Sequence, residues 1–159
     1  MSAIGWTRCL ALLSLLAIEG ASAANNGTPL ADKVRAANSR IKDASVAAAE
    51  GYAPIPCASG IDGGAMGVHY VTYLKGEAPE IKRPQAVTYE PLPNGKLELV
   101  AVEYTRDRPQ LEGQLFSCTN GPVRYGLGPF YESHLWAWKA NPRSAFADVK
   151  PHVTCEHAH

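Results

Sequence analysis

The sequence lacks an excess of charge of either sign. Its 159 residues include 15 Lys and Arg and 15 Asp and Glu, so the formal net charge at neutral pH is zero. Proteins that bind nucleic acid usually present a basic face, and attachment to anionic lipid needs clustered Lys and Arg. The charge balance therefore predicts that neither nucleic acid nor a lipid surface is the partner.

Long apolar runs are also missing beyond the N-terminus. The run "CLALLSLLAI" has about half the length that a bilayer-spanning helix needs. It follows the basic Arg8 and precedes the small residues Ala21-Ser22-Ala23. This order is typical of a signal peptide, so residues 1–23 are predicted to be removed by cleavage after Ala23. We expect a periplasmic or secreted protein without a membrane span, with a flexible linker at residues 24–29 and a single globular domain at residues 30–159.

Cysteine is scarce once the predicted signal peptide is removed. Cys57, Cys118 and Cys155 remain, and they allow three pairings. An oxidising compartment favours a disulfide bond, and we predict the pair Cys57–Cys155, because both residues stand in proline-rich or polar sequence near an end of the domain. Cys118 follows the apolar residues of "QLF" and is expected to be buried. No sequence motif supports a catalytic thiol at this position, so its role stays open.

The first part of the mature chain has the pattern of one amphipathic helix. Thr28 suits the N-cap, Pro29 the first helical position and Gly51 the C-terminal end. The apolar stripe is rich in alanine, so we expect the helix to lie close against a sheet. Its members recur at steps of three and four: Leu30, Val34, Ala37, Ile41, Ala44 and Ala48.

The remainder of the chain favours β-structure. Its strand-like segments are rich in β-branched and aromatic residues, and an irregular tail follows from Asn141 to His159. The predicted fold is α+β, with one N-terminal helix packed on a curved antiparallel sheet of about five strands. The predicted strands are "GVHYVTYL", "AVTYEP", "KLELVAVEY", "QLFSC" and "FYESHLWAWK".

Asn94-Gly95 gives the strongest local signal for a hairpin. This dipeptide is preferred in two-residue loops between antiparallel strands. With such a loop, Ala86 would lie opposite Glu103, and Glu90 would lie opposite Leu99. The two carboxylates Glu90 and Glu103 would then be about 13 Å apart along the ladder, too far to bind one ion.

Four titratable residues fall on strand faces that are otherwise apolar. Alternation places Glu132 and His134 on one face of the last strand, and it places His69 and Glu103 beside apolar residues of two other strands. Burying carboxylates without compensation costs several kcal/mol. We therefore predict one site for a small ligand or a divalent metal ion (zinc, iron(II) or manganese), built from His69, Glu103, Glu132 and His134. If the protein is an enzyme, a metal-bound water would be the reagent.

A second function is suggested by two tryptophans. Trp136 and Trp138 stand two residues apart, and on a strand they would form one flat apolar surface for a sugar ring, an aromatic ligand or a partner protein. The protein would then be a non-catalytic binding module of the cell envelope, with structural roles for the polar residues. In a third interpretation, all these polar groups have purely structural roles, and the indoles fill the core beneath the helix. The motifs H-E-x-x-H and C-x-x-C are absent, so no local signature decides among these alternatives.

Several blocks of the sequence resemble a group of small secreted bacterial proteins that have no assigned activity. The blocks are "GYAPIPC", "GGAMGVHYV", "RPQAVTYEPLPNGKLELVAVEY" and "GLGPFYESHLWAWKANPRSAFADVKPHVTCE". They run from Gly51 to Cys155, about two thirds of the chain. The resemblance implies export and a shared fold, and it implies no reaction, cofactor or partner. The blocks include the candidate residues named above: Cys57, His69, Glu90, Glu103, Glu132, His134, Trp136 and Cys155.

Overall fold

The computed structural model describes residues 28–60, 63–72, 80–106, 110–111, 114–115, 117–119 and 130–158. The predicted signal peptide (residues 1–23) and residues 24–27 of the predicted linker lie outside these ranges. The helical part comprises α1 (Pro29–Ala37), a 3-10 turn (Ser39–Lys42) and α2 (Ala44–Ala49). In the described ranges, no helix has the length and apolar character that crossing a bilayer requires.

Local capping explains where the helices begin and end. Thr28 accepts a hydrogen bond from the backbone amide of Ala31 at 3.1 Å, which confirms the predicted N-cap. Gly51 has a φ of +92°, and the amide of Tyr52 donates to the carbonyl of Ala47, so α2 ends in the expected glycine motif. The prediction of one helix is correct in location, whereas its continuity is not.

Asn38 and Asp43 interrupt the predicted single helix. The buried Asn38 amide donates to the carbonyls of Val34 and Ile81, which ties the end of α1 to the segment before the fourth strand. The Asp43 carboxylate accepts a hydrogen bond from the amide of Ser45 and starts α2 as a new helix. Side chains of this kind compete with helical hydrogen bonds, and this competition causes the break.

The strands form a mostly antiparallel sheet, as predicted, with more strands than expected. The main strand order is β1-β3-β4-β5-β9-β8, while β2 and β10 both pair with β3, and β6 and β7 form a separate pair. The fold class is therefore α+β. The strands are β1 (Ala53–Pro54), β2 (Ala58–Gly60), β3 (Gly64–Val71), β4 (Ala86–Pro91), β5 (Leu97–Arg106), β6 (Gln110–Leu111), β7 (Gln114–Leu115), β8 (Ser117–Thr119), β9 (Phe130–Leu135) and β10 (Lys150–Pro151).

The hairpin between β4 and β5 departs from the predicted two-residue loop. The amide of Leu92 donates to the carbonyl of Lys96 at 2.8 Å, so three residues form the loop, and Gly95 has a φ of +76°. A β-bulge follows, because the register shifts by one residue between Thr88 and Tyr89. The two changes offset each other along the chain.

Beyond the bulge the predicted register holds. Ala86 lies opposite Glu103, as expected, whereas Glu90 lies opposite Glu98 instead of Leu99. The bulge also changes which residues share a face. Leu99 belongs to the cluster beneath the helices, and Ala101 belongs to the cluster on the other side of the sheet.

The helices cover one sheet face. Its buried cluster joins helical residues such as Val34 and Ile41 to Tyr89, Val102 and Leu135 of the sheet. The Tyr89 hydroxyl donates to the Ile41 carbonyl at 2.6 Å and anchors the helical segment to β4. Burial raises the pKa of the Tyr89 phenol, so it stays a hydrogen-bond donor at neutral pH.

The C-terminal segment, which is the irregular tail that begins at Asn141, covers the opposite face of the sheet. Val153 packs with Trp136 and Ala65 there, and β10 pairs with β3. Cys155 forms the predicted disulfide bond with Cys57, with the two Cα atoms 5.7 Å apart. The irregular tail is thus attached to the sheet at its far end. Only the backbone of Cys118, in β8, belongs to the described part of the chain.

Candidate metal site

Three of the four predicted ligands meet on the face that the C-terminal segment covers. Nε2 of His69 lies 2.5 Å from Oε1 of Glu103, and Nε2 of His134 lies 3.2 Å from the same oxygen. All three side chains are buried, with at most 1% of each residue exposed. One ligand atom from each residue falls within 4.8 Å of the others. This cluster could hold a metal ion.

Strand order brings the three residues together from distant parts of the sequence. Glu103 on β5 and His134 on β9 are direct cross-strand partners. His69 lies on β3, so its side chain must reach across β4 to contact Glu103, a span of roughly 10 Å between strand axes. The residues of β4 that lie between His69 and Glu103 on this face are Ala86 and Thr88. Both are small, which leaves space for the imidazole and the carboxylate to approach each other above them.

The backbone fixes the orientation of the His69 ring. Nδ1 of His69 lies 3.1 Å from the carbonyl oxygen of Gly67. Because a carbonyl only accepts hydrogen bonds, Nδ1 carries a proton, and Nε2 is the ring nitrogen directed at the carboxylate. Metal-binding histidines in proteins are commonly oriented in this way by a backbone carbonyl.

Gly67 allows β3 and β4 to approach closely beside the site. Its φ is +117°, and a Cβ atom built at this position would lie 2.6 Å from the carbonyl oxygen of Tyr89. A side chain at residue 67 would therefore clash with β4 as well as strain the backbone. A glycine inside a strand pattern indicates such a close approach of two backbones, and this signal was already visible in "GGAMGVHYV".

Trp136 lies against the second histidine. Its ring is stacked on that of His134, with centroids 5.6 Å apart and an interplanar angle of 19°. Trp136 is fully buried, and its indole Nε1 donates to the carbonyl of Ala147 at 2.5 Å. The indole therefore fixes one face of the His134 ring and links it to the C-terminal segment.

The two tryptophans do not form one flat surface. Strand β9 ends at Leu135, so the alternation that predicted a common face for Trp136 and Trp138 does not continue to Trp138. Trp138 instead packs at the edge of the cluster beneath the helices, and Trp136 lies in the cluster on the other face. In the described residues 130–158, Trp136 and Trp138 therefore do not form the predicted flat apolar surface.

The other acidic candidates lie outside the cluster of three. Glu132 is buried on the same strand as His134, but it is paired in the sheet with Thr105, one step further along the face. Glu90 forms an ion pair with Lys139. Burial and the charge of Lys139 lower the pKa of the nearby Lys150, while Glu90 opposes this effect. The Glu90 carboxylate thus belongs to a separate charged group.

Sequence reasoning missed one buried polar residue beside the cluster. Thr88 is fully buried on β4, directly opposite His69 in the sheet. The hairpin register contained the necessary signal, because it placed Thr88 opposite Ala101 and therefore on the same face as Glu103.

A scan against protein-family models, a search of curated proteins and a search of solved structures each found no match to this chain. The chemistry of the site is therefore inferred from its own geometry.

Proposed function

We propose that the chain is exported and binds one divalent metal ion between His69, Glu103 and His134. The observation that carries this proposal is the contact of the His69 Nε2 atom with the Glu103 carboxylate at 2.5 Å inside the protein. The Cys57–Cys155 disulfide bond is compatible with an oxidising compartment and supports the export part of the proposal. Export also agrees with the resemblance to small secreted proteins.

The electronic character of the contacting atoms favours a cation. When His69 is neutral, its hydrogen bond to Gly67 leaves a lone pair on Nε2, and the carboxylate oxygen of Glu103 also presents lone pairs. Two such atoms approach to this distance only when a positive charge, either a proton or a metal ion, lies between or beside them. Nε2 of His134 adds a second nitrogen, and it lies 3.2 Å from the same oxygen. A single metal ion would satisfy all three groups together.

The ligand set suits a restricted group of ions. Two imidazole nitrogens and one carboxylate oxygen are typical of zinc sites and of sites for iron(II) or manganese, and are untypical of calcium. Three protein ligands leave at least one coordination position for water or a small molecule. The site would therefore be of the open kind that metalloenzymes use, in which the ion supplies Lewis acidity.

Metal analysis of the mature protein purified without a histidine tag tests the proposal. We expect close to one zinc, iron or manganese per chain, and we expect loss of most of this metal in the nearly isosteric variant Glu103→Gln. Glu98→Gln is the matched control, because Glu98 is an exposed carboxylate of the same strand. His157→Ala combined with His159→Ala removes the histidines of the C-terminal "HAH" as a second source of bound metal.

Two results would refute the metal site. One is the absence of metal from wild-type protein that has also been refolded in the presence of each ion. The other is unchanged metal content in a folded Glu103→Gln variant. Circular dichroism of each variant establishes that it is folded, and His134→Ala provides a second test if Glu103→Gln does not fold.

A further inference from the structure

We propose that the Thr88 hydroxyl is a further polar group of this site and holds the small exchangeable ligand, such as water, on the bound ion. The inference rests on the proposed metal site and names the residue that governs its open coordination position. Thr88 lies on β4, between the strand that carries His69 and the strand that carries Glu103.

The Thr88 hydroxyl is a buried group in need of a partner. The residue is fully buried, and its Oγ1 atom has no hydrogen-bond partner among the described residues. Buried hydroxyls in proteins are nearly always hydrogen-bonded to protein atoms or to an ordered small molecule. A ligand at this position would remove the deficit.

Sheet geometry places this hydroxyl beside the cluster. Thr88 is the direct cross-strand partner of His69, so their Cβ atoms are about 5 Å apart. It is also the partner of Ala101, two residues before Glu103 on the same face, which puts the Cβ atoms of Thr88 and Glu103 about 7–8 Å apart. The hydroxyl therefore lies beneath the contact between His69 and Glu103, within reach of a molecule bound there.

The other branch of the side chain points elsewhere. The Thr88 methyl carbon Cγ2 lies 3.0 Å from the position that a Cβ atom of Gly67 would occupy. Along the strand direction, Gly67 and Ala86 lie on opposite sides of Thr88. Ala86 is the direct cross-strand partner of Glu103, so Gly67 lies on the side away from Glu103. Because methyl and hydroxyl diverge from one carbon, the hydroxyl is not directed at Gly67 and is available to the site.

A hydroxyl suits a metal-bound oxygen better than any apolar side chain of similar shape. It can accept a hydrogen bond from metal-bound water or donate one to hydroxide or an anion. It carries no charge and is a weak ligand, so it would hold the exchangeable ligand without competing with the three stronger ligands for the ion.

Cobalt(II) titration with azide as the probe tests this inference. Cobalt in the wild-type protein should give a visible absorption spectrum that azide changes on replacing the exchangeable ligand. In Thr88→Val we expect an altered spectrum and azide binding weakened about fivefold, the usual effect of one hydrogen bond. Thr88→Ser should restore the wild-type values. Ser133→Ala removes a buried hydroxyl from the opposite face of β9 and should leave both properties unchanged.

The outcomes separate this inference from the metal site itself. If Thr88→Val binds cobalt and azide as the wild type does, the role of Thr88 is refuted and the metal site stands. If wild-type protein takes up neither cobalt nor any of the ions proposed for the site, both proposals are refuted. A purely structural hydroxyl would show a third signature, in which Thr88→Val raises the stability of the metal-free protein and leaves the cobalt spectrum unchanged. Thr88→Ala replaces Thr88→Val if the valine variant does not fold.

Discussion

Replacing Cys57 and Cys155 together by serine should lower the free energy of unfolding by about 4–5 kcal/mol. The disulfide bond closes a loop with a sequence separation of 98 residues. For a loop of this length, the chain-entropy relation gives about 4.7 kcal/mol at 25 °C. That value is close to the whole stability of many domains of this size, so the variant should be marginally folded.

The structure also indicates which part of the folded protein should loosen when the disulfide bond is removed. Besides the disulfide bond, the C-terminal segment is attached to the sheet through β10, the packing of Val153 and hydrogen bonds from Trp136. Without the covalent bond at Cys155, this segment should detach before the sheet unfolds, because few apolar contacts hold it. Trp136, which donates to Ala147 of that segment, should then become accessible to solvent.

Urea unfolding followed by tryptophan fluorescence and circular dichroism measures both effects. The free energy of unfolding should fall by the stated amount, and acrylamide should quench the fluorescence of the variant more strongly before unfolding begins. Reduction of the wild-type protein is the control, because opening the same bond without a substitution should lower the stability by a similar amount. A loss below about 1 kcal/mol in the double serine variant would contradict the loop-closure reasoning.

Two further predictions concern the backbone around the site and the helices. Gly67→Ala should lower the free energy of unfolding in urea by about 1–3 kcal/mol or more. Residue 67 has a positive φ, and its Cβ atom would clash with the backbone of Tyr89. Unchanged stability would show that β3 and β4 can separate at no cost. Hydrogen bonds from Ser45 lower the pKa of the Asp43 carboxyl group in the folded protein. The contribution of Asp43 to stability should therefore be present above the unfolded pKa of about 3.8, and it should be lost as the pH falls through the lower folded pKa. The stability difference between the wild type and Asp43→Ala, measured from pH 6 to pH 2, should therefore shrink on acidification, and a difference independent of pH would contradict the capping role.

Local features of the fold were predictable because their causes lie within a few residues. Thr28 and Gly51 mark the two ends of the helical region through hydrogen bonds to nearby backbone atoms. The break between the helices was not predictable in the same way. It depends on the Asn38 amide reaching the carbonyl of Ile81, a residue distant in sequence.

The strand faces were predicted correctly only where no irregularity intervened. Alternation placed Glu103 beside apolar residues of its own strand, but the bulge in β5 turns Leu97 and Leu99 towards the helices. Composition does not reveal a bulge, because the extra residue Val100 is as typical of a strand as its neighbours. The predicted opposition of Ala86 and Glu103 survived, since the longer loop and the bulge cancel.

The candidate ligands were identifiable as polar residues on apolar faces, whereas their grouping was not. His69 and His134 are 65 positions apart, and their proximity depends on the order β3-β4-β5-β9. Glu132, like Glu103, is a polar residue on an otherwise apolar strand face, but it lies one pairing step away from the cluster. Periodicity gives the face of a residue, and only strand order gives its neighbours across the sheet.

The composition of the cluster itself argues for a selected function. A buried carboxylate between two imidazoles is a poor way to stabilise a sheet, because replacement of buried ionic groups by well-packed apolar residues is often neutral or stabilising. The same face elsewhere uses Ala65, Ala101 and Val153 for packing. Folding alone would thus be served by apolar side chains at positions 69, 103 and 134. Sites where a sequence departs from the rules that favour stability are commonly the sites of function, and here the departure coincides with three ligand atoms that could hold a metal ion.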